Sequence, residues 1–206
     1  MTTPDSSITI ERNIERLVIA LTGNGVVAPW NAREALEDVG PAAVPALLGA
    51  LDATDPSTRW EAAKALSTIA DPSAVMPFVV ALDDEDASVR WLAAEGLSRI
   101  GFPALAPLLH ALIEHSGSAW LRHGAYHVLR GNLNDELAPA LTPVLGALTG
   151  HDAEITVMPA ASRAIKMLES GPPGALLRAP LPEWHASRLP SMTRAHGTWR
   201  NLRFQG

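Results

Sequence analysis

The chain has 206 residues, 47% hydrophobic and 18% charged, a composition that suits one compact domain or one solenoid of repeats. It contains no Cys, which excludes disulfides, Cys-ligated zinc, iron–sulfur clusters and thiol nucleophiles. The formal charge of -6 is uneven: residues 171–206 hold five Arg against one acid, a net of +4, which leaves -10 on the first 170 residues. An acidic body argues against a phosphate backbone as the main partner, because that affinity comes from Lys and Arg.

Met1 to Ser7 is polar and lacks a basic cluster, and no apolar run reaches the ~18 residues of a membrane span. The expectation is a cytoplasmic protein without a secretory signal. Residues 8–22 read as an amphipathic helix, with Ile10, Ile14, Leu17, Val18 and Leu21 recurring at three- and four-residue steps. Gly23-Asn24-Gly25 ends it.

A repeat follows. Arg59-Trp60-Glu61-Ala62-Ala63-Lys64-Ala65-Leu66 returns 31 residues later as Arg90-Trp91-Leu92-Ala93-Ala94-Glu95-Gly96-Leu97, each copy with an Asp four residues ahead (Asp55, Asp86). Counted from the Arg, an Ala at plus three and a Leu at plus seven also fit Ala32 and Leu36 from Pro29, and Ala125 and Leu129 from Arg122. These offsets put the side chains on one helical face. A turn then leads to a second apolar helix with an early Pro: Pro45, Pro77, Pro107 and Pro143. At the first turn of a helix the missing N–H of Pro costs nothing. The boundaries read as repeats over about 26–54, 55–84, 85–115 and 116–150, with a last helix over 153–169. Self-similarity at such a period predicts an all-α solenoid of about four to five helix pairs over residues 1–170. From Gly171-Pro172-Pro173-Gly174 the periodicity stops, and 171–206 reads as an irregular tail rich in Pro and Arg.

Asp-Pro-x-x-Arg-Trp-x-Ala-Ala-x-Ala-Leu, followed by Ile-x-x-Pro, resembles a HEAT repeat of the phycobilisome-lyase HEAT-like type. The resemblance covers about residues 26–169. It implies a ladder of hydrogen bonds between successive repeats, carried here by Asp55, Arg59, Asp86, Arg90 and Arg122. It also implies first helices on a convex side and second helices lining a concave face.

Three features are candidates for function. Trp30, Trp60 and Trp91 share the plus-one position, where repeat four has His123; they form either an aromatic row for a partner or packing between repeats. Trp120 falls out of this register. The second helices carry small residues and few charges, with His110 among them, and offer a smooth apolar floor for a helix or an extended peptide. The tail carries Trp184 and Trp199. The acid run Asp83 to Asp86 matches no calcium-loop spacing, and His123 and His127 lack the Glu of a metal motif. No Gly-rich phosphate loop or G-x-S-x-G occurs. The reading is therefore a non-catalytic scaffold or adaptor that binds a protein or peptide on its concave face and needs no cofactor or metal. The alternatives are a chromophore (bilin) lyase or lyase-chaperone subunit, which the resemblance implies, and a HEAT-like nucleic-acid-binding protein.

Overall fold

The computed structural model describes residues 4–170, which form ten α-helices and two short 3₁₀ turns, with no strand among them. The first helices of the repeats are α2 (Pro29–Val39), α4 (Pro56–Ile69), α6 (Ala87–Ile100) and α8 (Ala119–Gly131). They stack in order, α2 on α4, α4 on α6 and α6 on α8. The offsets read from sequence define their inner face: Ala32, Leu36, Ala62, Leu66, Ala93, Leu97, Ala125 and Leu129 are all fully buried. Ala at plus three leaves room for the neighbouring helix, and Leu at plus seven fills the space between layers.

The second layer contains α1 (Pro4–Leu21), α3 (Val44–Leu51), α5 (Val75–Ala81) and α7 (Phe102–Glu114). Helix α1 packs on α2 and α3 and starts four residues before the sequence boundary. Ile14 and Leu21 of its stripe are buried, but Ile10 is about half exposed. The prolines divide into two kinds. Pro45 stands in the first turn of α3, after a 3₁₀ turn over Gly40–Ala43, and Pro77 in the first turn of α5, after one over Pro72–Ala74. Pro107 and Pro143 lie inside α7 and α9 (Ala138–Thr149), because there the helix runs through the segment that is 3₁₀ in the earlier repeats. Each then removes one internal hydrogen bond.

The last helix, α10 (Ala153–Ser170), departs from the repeat. A first helix would be expected to extend the first layer beyond α8, but α10 packs on α9 and on α7. It occupies the place beside α7 that corresponds to α5 on the other side, while α9 lies against α8. The longer connection over 132–137 allows this exchange. As a result α7 is covered on both flanks, and Ala104 through Leu109 are all buried. On α10, Ala161, Ile165 and Leu168 face inward as the sequence indicates. No helix among the described residues is long and apolar enough to cross a membrane. Residues 171–206, with Trp184 and Trp199, lie outside the described residues.

Candidate partner-binding site

The edge where second helices turn into first helices carries the charged residues of the repeat motif. Asp55 and Asp86 do not pair with the Arg four residues on. Each has extended backbone and caps its own first helix. The Asp55 carboxylate accepts from the Thr58 amide and hydroxyl, both at 2.8 Å, and Asp86 accepts from the amides of Ser88 and Val89. An Asp at this position satisfies amides that have no partner within the helix, and this local bond outcompetes a reach to the Arg. Asp86→Ala is expected to cost about 1 kcal/mol in urea denaturation, the usual loss for an N-cap.

The Thr58 bonds hold the Asp55 carboxyl below its ordinary range. A carboxyl whose folded value is depressed contributes stability that is present above the unfolded value and is lost as pH falls through the folded one. The stability gap between wild type and Asp55→Asn should therefore narrow in an acid titration.

Each Arg instead reaches forward across a seam to the next repeat. Arg59 is buried and fork-bonds Asp84, with Nε to Oδ2 and Nη2 to Oδ1 both at 2.9 Å. It also meets Glu85 and donates to the carbonyls of Ala53 and Thr54. This accounts for the acid run: Asp84 and Glu85 hold Arg59, Asp86 caps α6, and Asp83 accepts from the Ser118 hydroxyl at 2.6 Å. Among the described residues no cluster could hold a metal ion.

The seams change along the stack. Between α2 and α4, Arg33 bridges Glu61 at 2.9 Å and Glu37 at 2.6 Å; burial pushes the Glu61 carboxyl up against the pull of Arg33. Between α6 and α8 no carboxylate takes the place of Asp84, because the matching residue is Ser116. Arg90 donates to the Asp84 and Glu85 carbonyls, and its guanidinium lies 4.2 Å from the centre of the Trp120 ring. This cation–π contact explains why Trp120 stands out of register. At the last seam Arg122 donates to the Ser116 carbonyl and stands 3.8 Å from Glu154.

The tryptophan row is mixed. Trp60 is half-buried against the core. Trp30 is 55% exposed, Trp91 57% and Trp120 45%, so packing between repeats does not consume them. His123 is exposed and does not join a row with Trp91; it lines a cleft of about 650 Å³ between α8 and the α9–α10 turn, with Arg122, Tyr126, His151, Asp152, Glu154 and Ile155. His127 is exposed on the same helix.

The other candidate surface is the outer side of the second helices. α3 and α5 contain no Asp, Glu, Lys or Arg, and α7 contains only its terminal Glu114. Pro45 and Gly49 are exposed, and Leu48, Met76, Val80, His110 and Ile113 are half-buried. The small residues Ala50, Ala81, Ala106 and Ala111 are buried, so the floor is formed by larger apolar side chains than the sequence suggests. Sequence reasoning missed three things here: the Arg33–Glu61 bridge, Asp84 as the partner of Arg59, and the cleft. The first two link residues 28 and 25 apart, and no rule selects one acid out of a run of four.

Among curated proteins none matches the chain. Among solved structures, the complex of CpcE and CpcF of phycocyanin lyase from Nostoc sp. PCC7120 is similar, at 29% identity and a TM-score of 0.51, over 75% of this chain and 98% of that chain. The family model for HEAT repeats matches residues 14–79 and 75–166. These spans take in every first helix from α2 to α8 and most of α10, and the chain belongs to the HEAT-repeat family.

Proposed function

We propose that this chain works by binding another protein, as a HEAT subunit of the phycocyanin-lyase type, and that the uncharged outer side of α3, α5 and α7 receives the partner. The observation that carries this reading is the likeness to a lyase complex along nearly the whole length of that chain, at an identity above what a shared solenoid shape alone would require. The similar structure is itself a complex of two proteins. The surface agrees with such a role, because a floor of Leu48, Met76, Val80 and Ile113 without charges suits an apolar partner face.

The role proposed is binding rather than chemistry. The polar side chains gathered by the repeat motif are committed to structure: Asp55 and Asp86 cap helices, and Arg59 is locked between Asp84 and Glu85. The acidic body weighs against the nucleic-acid reading.

Co-expression of the chain with a bilin source and a bilin-accepting protein tests the lyase-type reading. Visible absorbance that appears on the acceptor, or on a complex containing this chain, only when the chain is present supports it. Colourless acceptor at unchanged yield with and without the chain would sink it.

A further inference from the structure

The seams along the stack do not close equally. Glu61 is held by Arg33 and Asp84 by the fork of Arg59, each with contacts of 2.9 Å. At the cleft between α8 and the α9–α10 turn, the corresponding Arg122 stands 3.8 Å from Glu154, beyond hydrogen-bond reach. The nitrogen nearest Glu154, Nη1, donates instead to the Ser116 carbonyl. Asp152 and Glu154 are exposed beside it, and Tyr126, His123 and Ile155 line the same space. Ile155 is 75% exposed. The cleft thus offers two carboxylates without a fork, next to an aromatic and an aliphatic wall.

We propose that this cleft is the docking place of the chain's own residues 171–206, and that an arginine of that segment completes the last seam as Arg59 completes an earlier one. Charge favours it: the segment has a net of +4 on a body of -10. Guanidinium groups bind carboxylates in bidentate fashion and stack on aromatic rings, so the chemistry of the cleft selects Arg.

Reach decides which arginine. The cleft lies at the N-terminal end of α10, and the segment leaves from the other end, 18 residues away, about 27 Å along the helix. Arg178 is eight residues past Ser170 and spans at most about 26–29 Å fully extended, which leaves no slack. Arg188 and Arg194 are 18 and 24 residues past it and have ample length. Trp184 stands four residues before Arg188 and supplies an apolar side chain for the wall at Ile155.

Because the chain has no Cys, disulfide trapping in the full-length protein is unambiguous. One cysteine replaces exposed Thr149 at the rim of the cleft, and the other replaces Ser191; a second pair uses Ser187 in place of Ser191. Under mild oxidation at low protein concentration, both pairs should close within one chain. Adding Asp152→Arg and Glu154→Arg should slow closure roughly tenfold by releasing the segment to its free effective concentration. The matched reversal Glu34→Arg with Asp38→Arg, which changes net charge equally on the exposed side of α2, should leave the rate unchanged. Equal slowing by both reversals, no slowing by either, or disulfides formed mainly between two copies would overturn the proposal.

Discussion

Arg59→Ala is expected to lower the free energy of unfolding by about 3 kcal/mol, as measured by urea denaturation followed by circular dichroism. The size follows from what remains behind. The Asp84 side chain is only 14% exposed and would lose both guanidinium donors, keeping only the Asp86 amide on Oδ1, and the Ala53 and Thr54 carbonyls would lose their donor. Breaking a buried pair from one side is far costlier than deleting both members, so Arg59→Ala combined with Asp84→Asn should cost less than the sum of the two changes. Arg59→Lys should recover only part of the loss, because an ammonium cannot reproduce the fork. A cost below about 0.5 kcal/mol would mean that this seam is held by its apolar contacts alone.

The second large effect comes from a substitution that looks favourable. Gly96→Ala replaces a mid-helix glycine of α6, which by helix propensity should gain about 1 kcal/mol. A Cβ there would lie 2.4 Å from Cε2 of Phe78 and 2.6 Å from its Cζ, and Phe78 is itself fully buried. The ring has nowhere to go, so overpacking should outweigh propensity and give a net loss of about 2 kcal/mol. In the Phe78→Leu background the same change should cost much less or stabilise, since the opposing ring atoms are gone. Equal costs in both backgrounds would rule out this contact as the cause. The equivalent residue is Ala65 in repeat two and Val128 in repeat four. The size tolerated at this position is set by what each second helix places opposite, not by the first helix itself. Gly124 repeats the lesson against Leu82, whose Cδ2 would be 2.6 Å from an added Cβ.

The parts of the fold that could be read from sequence are those set by helical periodicity. The Ala and Leu offsets predict the buried face of all four first helices, because one face of a helix needs only local spacing. The placement of α10 could not be read this way. Its inner residues Ala161, Ile165 and Leu168 are apolar whether they meet a first or a second helix, and only the longer connection ahead of α9 hints at the exchange. The site follows the same division. The N-cap role of Asp55 and Asp86 is local and rests on their position ahead of Pro56 and Ala87, whereas Arg59 finds Asp84 in the loop before α6 and Arg90 finds Trp120 in the first turn of α8, both across a seam whose geometry the sequence leaves open. The tryptophans were ambiguous for a physical reason. Residue plus one sits at the border of the buried stripe, and small shifts in packing leave Trp60 half-buried while Trp91 is mostly exposed.

The exposed indoles and the uncharged second-layer face compete as partner surfaces, and one comparison separates them. Met76 and Val80 lie four apart on α5 and are both half-buried on its outer side. The decisive measurement is quantitative co-purification from the native host of the full chain, of Met76→Glu with Val80→Glu, and of Trp91→Ala, each checked for an unchanged thermal transition. A protein partner recovered in stoichiometric amount with wild type and with Trp91→Ala, but lost from the doubly charged variant, is the predicted result. Recovery that survives two new charges on α5, or that disappears with Trp91→Ala alone, would contradict the assignment of the second-layer face as the place where this chain binds its partner.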